Sequence, residues 1–327
     1  MKGQETDRPH PLRFRHPLDG EIAALALPAL GALAADPLVS LVDTLFVGRL
    51  GVTPLAALGV NTSIFSMAFV VFNFLAYATT PMIARAVGRG DVARAGKVAV
   101  EALTLATVAG LVVILVLQLF ARSIVEVMGA RGELVEPALV YLRIRALAGP
   151  AVLLITAGHG VFRGWHDTRT PLAVSLLLNA VNLVLDPILI FVVGWGLAGA
   201  AVATVVAQWT GAACFLWLIL VRRREAMGVQ PRLPRPRDLL PFLHVGGALV
   251  ARTFSLIGTL TLATAVATRV GTLAVAAHQV ASQLWLALAL VVDALAVAGQ
   301  AMVARYRGAR DGAAARIAAD RLLAWGL

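Results

Sequence analysis

Long runs of apolar residues, separated by short polar segments, recur along the whole chain. A helix needs about 20 apolar residues to cross the hydrocarbon core of a bilayer. Eight runs reach that length, and we predict that each forms a membrane-spanning helix. The predicted spans are residues 22–47, 55–83, 96–119, 137–160, 171–194, 197–220, 242–267 and 274–303. A further apolar segment begins near Ala313 and is too short to span before the chain stops at Leu327.

Composition supports a lipid environment. Hydrophobic residues make up 59% of the 327 residues and charged residues only 14%, against about 25% charged in soluble domains. We therefore predict an all-α polytopic membrane protein. Its net charge of +10 lies in clusters between the apolar runs, which is typical of topology signals and argues against a nucleic-acid partner. The single cysteine, Cys214, excludes a disulfide within the chain.

The basic clusters predict the orientation in the membrane. Arginine and lysine are abundant after the second, fourth, sixth and eighth spans and sparse in the other loops. The loops rich in Lys and Arg usually face the cytoplasm. We therefore predict a multi-pass protein with a cytoplasmic N-terminus.

An internal repeat divides the chain. A shift of 220 residues aligns Arg49-Leu-Gly51 with Arg269-Val-Gly271, and Gly88 and Asp91 with Gly308 and Asp311. Both copies involve spans that run in the same direction, so the repeat is parallel, with six spans per unit. We predict a cytoplasmic tail (1–21), a six-helix N-terminal lobe (22–221), an Arg- and Pro-rich linker (222–241), and the first helices of an incomplete second lobe (242–327). The proline-rich linker is expected to be stiff and non-helical.

Ionisable residues inside spans are costly, so each is a candidate for function. The first span carries Asp36 and Asp43, nearly two turns apart on one face, with Pro28 and Pro37 able to kink it. The alternative for both carboxylates is a structural hydrogen bond to a neighbouring helix.

A second set of polar residues lies on the fifth and sixth spans. Spacings of three and four place the members from the fifth span on one stripe, and those from the sixth are one turn apart. The residues are Asn179, Asn182 and Asp186, followed by Pro187, and then Thr204 and Gln208. Together with Asp43 they predict an oxygen-rich cavity that holds Na⁺ or shares a proton.

Other chemistry finds little support in the sequence. Catalytic motifs and phosphate-binding loops are missing, so we expect neither an enzyme nor an ATP-driven pump, and no cofactor beyond a coupling ion. Arg252 is the one cationic side chain that we place clearly within a span. A groove for lipid-linked sugars would need several such cations.

At these residues the chain resembles the multidrug and toxic compound extrusion (MATE) family, in particular its DNA-damage-inducible F type. The matching segments are Pro37–Gly51, Gly88–Asp91, Phe162–Pro171, Asn179–Pro187, Ala298–Gln300 and Gly308–Asp311. The resemblance implies two six-helix bundles in the plasma membrane that export cationic or amphipathic drugs against H⁺ or Na⁺ by alternating access. It also implies an ion site formed by Asp43, Asn182, Asp186 and Thr204.

Two alternatives to drug:cation antiport remain at this stage. One is a flippase for lipid-linked saccharides, which shares the superfamily architecture. The other is a non-transporting fragment, since the family has twelve spans and this chain contains little more than eight. In that case, self-association or a missing C-terminal part would complete the molecule.

Overall fold

The computed structural model describes the backbone of residues 16–230, 232 and 234–326, and side chains there except at 36, 243, 245, 261, 265, 267, 268, 272–276, 279, 280, 283, 286 and 287. In these ranges the regular structure is entirely helical. The α-helices are α1 Asp19–Gly48, α2 Val52–Val70, α3 Phe74–Gly88, α4 Val92–Leu119, α5 Ala121–Val127, α6 Val135–Ala146, α7 Gly149–Gly164, α8 Arg169–Pro187, α9 Gly196–Trp217, α10 Pro236–Val270, α11 Thr272–Gly308 and α12 Gly312–Gly326.

The helices confirm the prediction of an all-α polytopic membrane protein. Among the described residues, seven helices are long and apolar enough to span a membrane. The pair α6 and α7, bent by 48°, makes an eighth when it is counted as one span. α12 follows with 15 residues.

The internal repeat is visible in the backbone. Gly51 and Gly271 precede α2 and α11 with φ of 123° and 145°, a region that favours glycine. Each is followed by 37 residues, Val52–Gly88 and Thr272–Gly308, that end at the repeat-related glycines. A short 3₁₀ turn at Val71–Asn73 interrupts only the first copy.

The two repeat copies also meet each other. A Cβ atom added to Gly88 would overlap the backbone carbonyl of Arg305, and one added to Gly308 would overlap that of Arg85. The contact is reciprocal, because Arg85 and Arg305 are themselves related by the repeat. Glycine at both positions allows the ends of α3 and α11 to pack backbone against backbone.

Charged residues gather at this same end of the bundle. Arg321 Nε on α12 lies 2.7 Å from Asp19 Oδ1 at the start of α1. Arg305 Nη1 lies 3.6 Å from Glu21 Oε1. The start of α1 therefore lies beside the end of α11 and beside α12.

The segment between the lobes differs from its prediction. We expected a non-helical linker through residue 241, but α10 begins at Pro236 and includes Pro241. A proline in the first helical position is tolerated, because the N–H group it lacks has no partner within the helix. The carboxylate of Asp238 in this first turn bonds the Lys97 ammonium of α4 at 3.0 Å and so ties α10 to the first lobe.

The Asp167-Thr168-Arg169-Thr170 segment starts α8. The Asp167 carboxylate accepts hydrogen bonds from the Thr170 backbone N–H at 2.9 Å and hydroxyl at 2.6 Å, and from Arg223 Nη1 at 2.8 Å. Burial disfavours its charged form, but these donors outweigh that effect and lower the pKa of Asp167. The segment therefore fixes the start of the helix that carries the predicted polar stripe.

Candidate functional site

Asp43 lies near the end of α1, the helix that contains both predicted kink positions. α1 runs as one helix from Asp19 to Gly48, with Pro28 and Pro37 inside it. The Asp43 side chain is half-buried, and its Oδ1 atom is shielded from solvent without a hydrogen-bond donor among the described residues. Asp36 is on the same helix, but its side chain lies outside the described part, so its role stays a prediction.

The stripe on α8 is buried, as its spacing predicted. Asn179, Asn182 and Asp186 are 8%, 3% and 0% exposed. The α-helix ends at Pro187, and the chain continues as a π-helical turn over Ile188–Val192. Proline lacks the N–H group that would continue the regular ladder, so the break directly follows Asp186.

A cavity of about 290 Å³ opens beside these residues. Of the predicted site residues, Asp43, Asn179, Asn182, Thr204 and Gln208 line it. They come from α1, α8 and α9, and α8 packs against both other helices. The Thr204 hydroxyl donates to the Ala200 carbonyl at 2.9 Å, which leaves its oxygen lone pairs available as acceptors.

Asp186 joins the site through Asp43. The two carboxyl groups are neighbours and interact directly. Two ionised carboxylates can both accept and neither can donate, so this contact is a hydrogen bond only when one of them carries a proton. Both oxygens of Asp186 are buried and have no donor among the other described residues. A shared proton or a bound cation would satisfy these acceptors.

Two cavity residues were missed by our reading of the sequence. Tyr141 and Arg145, one turn apart on α6, line the same cavity. The Tyr141 side chain lies near Thr204, which lines the same cavity. The sequence alone could have identified Arg145, because this charged residue falls inside the fourth predicted span. The identification of Arg252 as the one clear intramembrane cation was therefore wrong, and the buried Arg163 on α7 is a further exception.

The bend between α6 and α7 positions Arg145 toward the cavity. Helix breaks free backbone carbonyl groups, which need other donors inside a membrane. The Trp209 indole N–H donates to the Leu147 carbonyl at 3.2 Å. Gly110 on α4 allows the close approach of Pro150, since a Cβ there would overlap the proline backbone. Contacts from Trp209 on α9 and Gly110 on α4 thus stabilise the bend.

The donor set suits a small hard cation or a proton. It offers carboxylate, amide and hydroxyl oxygens, the ligand types preferred by such cations. No group of three His, Cys, Asp or Glu side chains arranged for a metal ion occurs among the described residues. That these residues bind Na⁺ or share a proton stays a prediction.

Comparison with known proteins identifies the family. The family model described as MatE matches residues 28–188, which include both Asp43 and Asp186. Protein DETOXIFICATION 43 of Arabidopsis thaliana is 35% identical, with 94% of this chain and 69% of that protein covered. The chain belongs to the MATE family. Family members are transporters, as we predicted, and not enzymes.

Other relatives agree with this assignment. Protein DETOXIFICATION 44 of the same plant is 38% identical over 89% of this chain, which spans only 58% of that protein's length. The predicted likeness to the F type is confirmed by DNA damage-inducible protein F of Escherichia coli, at 28% identity over 88% of this chain and 63% of that protein.

A solved structure supports the fold. A multidrug resistance MATE family transporter of the MOP superfamily, in an outward-facing conformation, superposes with a TM-score of 0.85 at 25% identity. The match covers 95% of this MATE chain and 70% of the transporter. The helices around the cavity therefore have the arrangement of a membrane transporter.

Proposed function

We propose that this MATE protein is a secondary active antiporter. It exports cationic or amphipathic compounds in exchange for H⁺ or Na⁺ by alternating access. The observation that carries the proposal is the contact between Asp43 and Asp186 beside a cavity inside the membrane-spanning bundle. Ionisable groups at that depth are rare and mark ion pathways. Similarity to a multidrug resistance transporter supports the substrate class.

A dye-accumulation assay tests this function. Efflux-deficient cells that express the 327-residue chain should accumulate less of a fluorescent cationic dye than cells with an empty vector. Efflux that persists without sodium but stops with a protonophore would identify H⁺ as the coupling ion. Efflux that requires sodium at constant pH would identify Na⁺.

The same assay distinguishes the alternatives. If the chain reaches the membrane but does not lower dye accumulation, the antiporter proposal is wrong for this chain, and activity would need the remaining length of its relatives. Loss of efflux upon removal of both ion gradients separates antiport from leakage of the dye.

We further propose that the protein lies in the plasma membrane with its N-terminus in the cytoplasm. The gathering of basic residues at one end of the bundle supports this orientation. Arg49 and Arg89 are exposed in loops at opposite ends of the segment Val52–Gly88. In a chain with Cys214→Ala, an impermeant thiol reagent added outside intact cells should label Arg49→Cys and not Arg89→Cys. The reverse labelling pattern would overturn the orientation.

A further inference from the structure

Arg145 brings a permanent positive charge to the cavity that holds the carboxyl pair. Its Cζ atom lies 5.2 Å from the centroid of the Phe65 ring, and Phe65 lines the same cavity. Its Nη1 atom is shielded from solvent. A guanidinium inside a span is stable only when its charge is compensated. An arginine remains charged under all physiological conditions.

Few of the described side chains that line the cavity with Arg145 are charged. Asp43 and Tyr141 line the same cavity as Arg145, so its positive charge acts on the Asp43 carboxyl group and on the Tyr141 hydroxyl. Asp186 on α8 contacts Asp43 directly. The described cavity residues from α2, α7 and α9 are all uncharged. Among the side chains that the structure describes, the site therefore contains two carboxyl groups, one neutral phenol and one guanidinium.

These charges set a limit on what the site can hold. With both carboxyl groups ionised, one negative charge remains after Arg145 is counted. One proton or one monovalent cation makes the site neutral, whereas a second would leave it with a net positive charge in a low-dielectric environment. Charge of either sign is costly there.

We propose that Arg145 is the fixed counter-ion of the Asp43–Asp186 pair and limits the site to one monovalent cation at a time. This inference rests on the proposed antiport and deepens it. A proton, a sodium ion and a cationic group of a substrate would then exclude one another. Exchange would follow from competition for a single charge, without a second ion site.

Infrared titration of the purified full chain tests the proposal without requiring transport. The stretching band of protonated carboxyl groups is followed with pH and assigned by its loss in Asp43→Asn and Asp186→Asn. In the wild type, we expect one proton on the pair. In Arg145→Gln, the pH at which half the band is lost should rise by about one unit or more, since an opposite charge no longer favours ionisation. The band should also grow toward twice its amplitude on acidification, as the second carboxyl group binds its own proton.

Two further variants make the test specific. Arg143→Gln removes a guanidinium from an exposed position two residues earlier on α6 and should leave the titration unchanged. Arg145→Lys keeps the charge and should restore a titration close to that of the wild type. A shift common to all three variants would indicate a structural change and would overturn the counter-ion role.

The outcomes separate this inference from the proposed function. If Arg145→Gln titrates as the wild type does, while the band still disappears in Asp43→Asn, the counter-ion proposal is wrong and the carboxyl pair stands. If the expected shift occurs in a chain that does not export dye, the counter-ion role holds and the antiport proposal fails for this chain.

Discussion

Asp43→Asn should reduce ion-coupled dye efflux to the level of cells with an empty vector, while the protein still inserts and folds. Asparagine keeps the shape of the side chain but can neither give up a proton nor carry the negative charge that attracts a cation. Since Asp43 and Asp186 share a contact, loss of either carboxylate removes the one exchangeable charge of the pair. Dye accumulation and the amount of protein in the membrane fraction are the measurements.

Controls distinguish this effect from general damage. Asp320→Asn makes the same chemical change at an exposed position on α12 and should retain efflux. Asp186→Asn should lower dye efflux as much as Asp43→Asn does. The double variant should lower efflux no further than either single variant, because the effects of residues that act as a unit are not additive. Efflux at the wild-type level in Asp43→Asn would remove this residue from the site.

Gly88→Ala is expected to lower the stability of the folded protein by about 1–3 kcal/mol, the usual range for overpacking. The added methyl group would overlap the Arg305 carbonyl of the second lobe, and a backbone atom cannot move aside as a flexible side chain can. Gly308→Ala should have a similar effect, because its methyl group would overlap the Arg85 carbonyl. Thermal unfolding of the purified protein in detergent measures both.

A matched glycine tests the explanation. Gly59 is on α2, and a Cβ added there would meet nothing within 4 Å. Gly59→Ala should be neutral or slightly stabilising, since alanine favours a helix. Once one methyl group has separated α3 from α11, the second should cost less, so Gly88→Ala and Gly308→Ala should combine to less than their sum. Equal unfolding temperatures for Gly88→Ala, Gly59→Ala and the wild type would contradict the contact.

The same contact bears on the proposed transport cycle. Gly88 and Gly308 hold the ends of α3 and α11 together at the end of the bundle that we propose to be cytoplasmic. Alternating access requires this end to open in each cycle, so Gly88→Ala should favour the open arrangement as well as lower stability. A change in access needs two arrangements of these helix ends, closed and open, that are both populated.

The sequence by itself determined the positions and number of the spans. A membrane requires about 20 apolar residues and internally bonded backbone, and these demands are local to each segment. The spacing of Asn179, Asn182 and Asp186 likewise determined their common face, because helical periodicity is local. The repeat was readable for the same reason, and Gly51 and Gly271 have the same backbone region in both copies.

Only the tertiary structure decided which polar side chains meet. The contact between Asp43 and Asp186 depends on how α1 packs against α8, which spacing within one helix does not specify. The direction of Arg145 depends on the bend between α6 and α7, which Trp209 and Gly110 support from other helices. The reciprocal approach of Gly88 and Gly308 joins residues 220 positions apart. Each of these features arises from contacts between distant segments, whose free energies are not encoded in any single stretch of the chain.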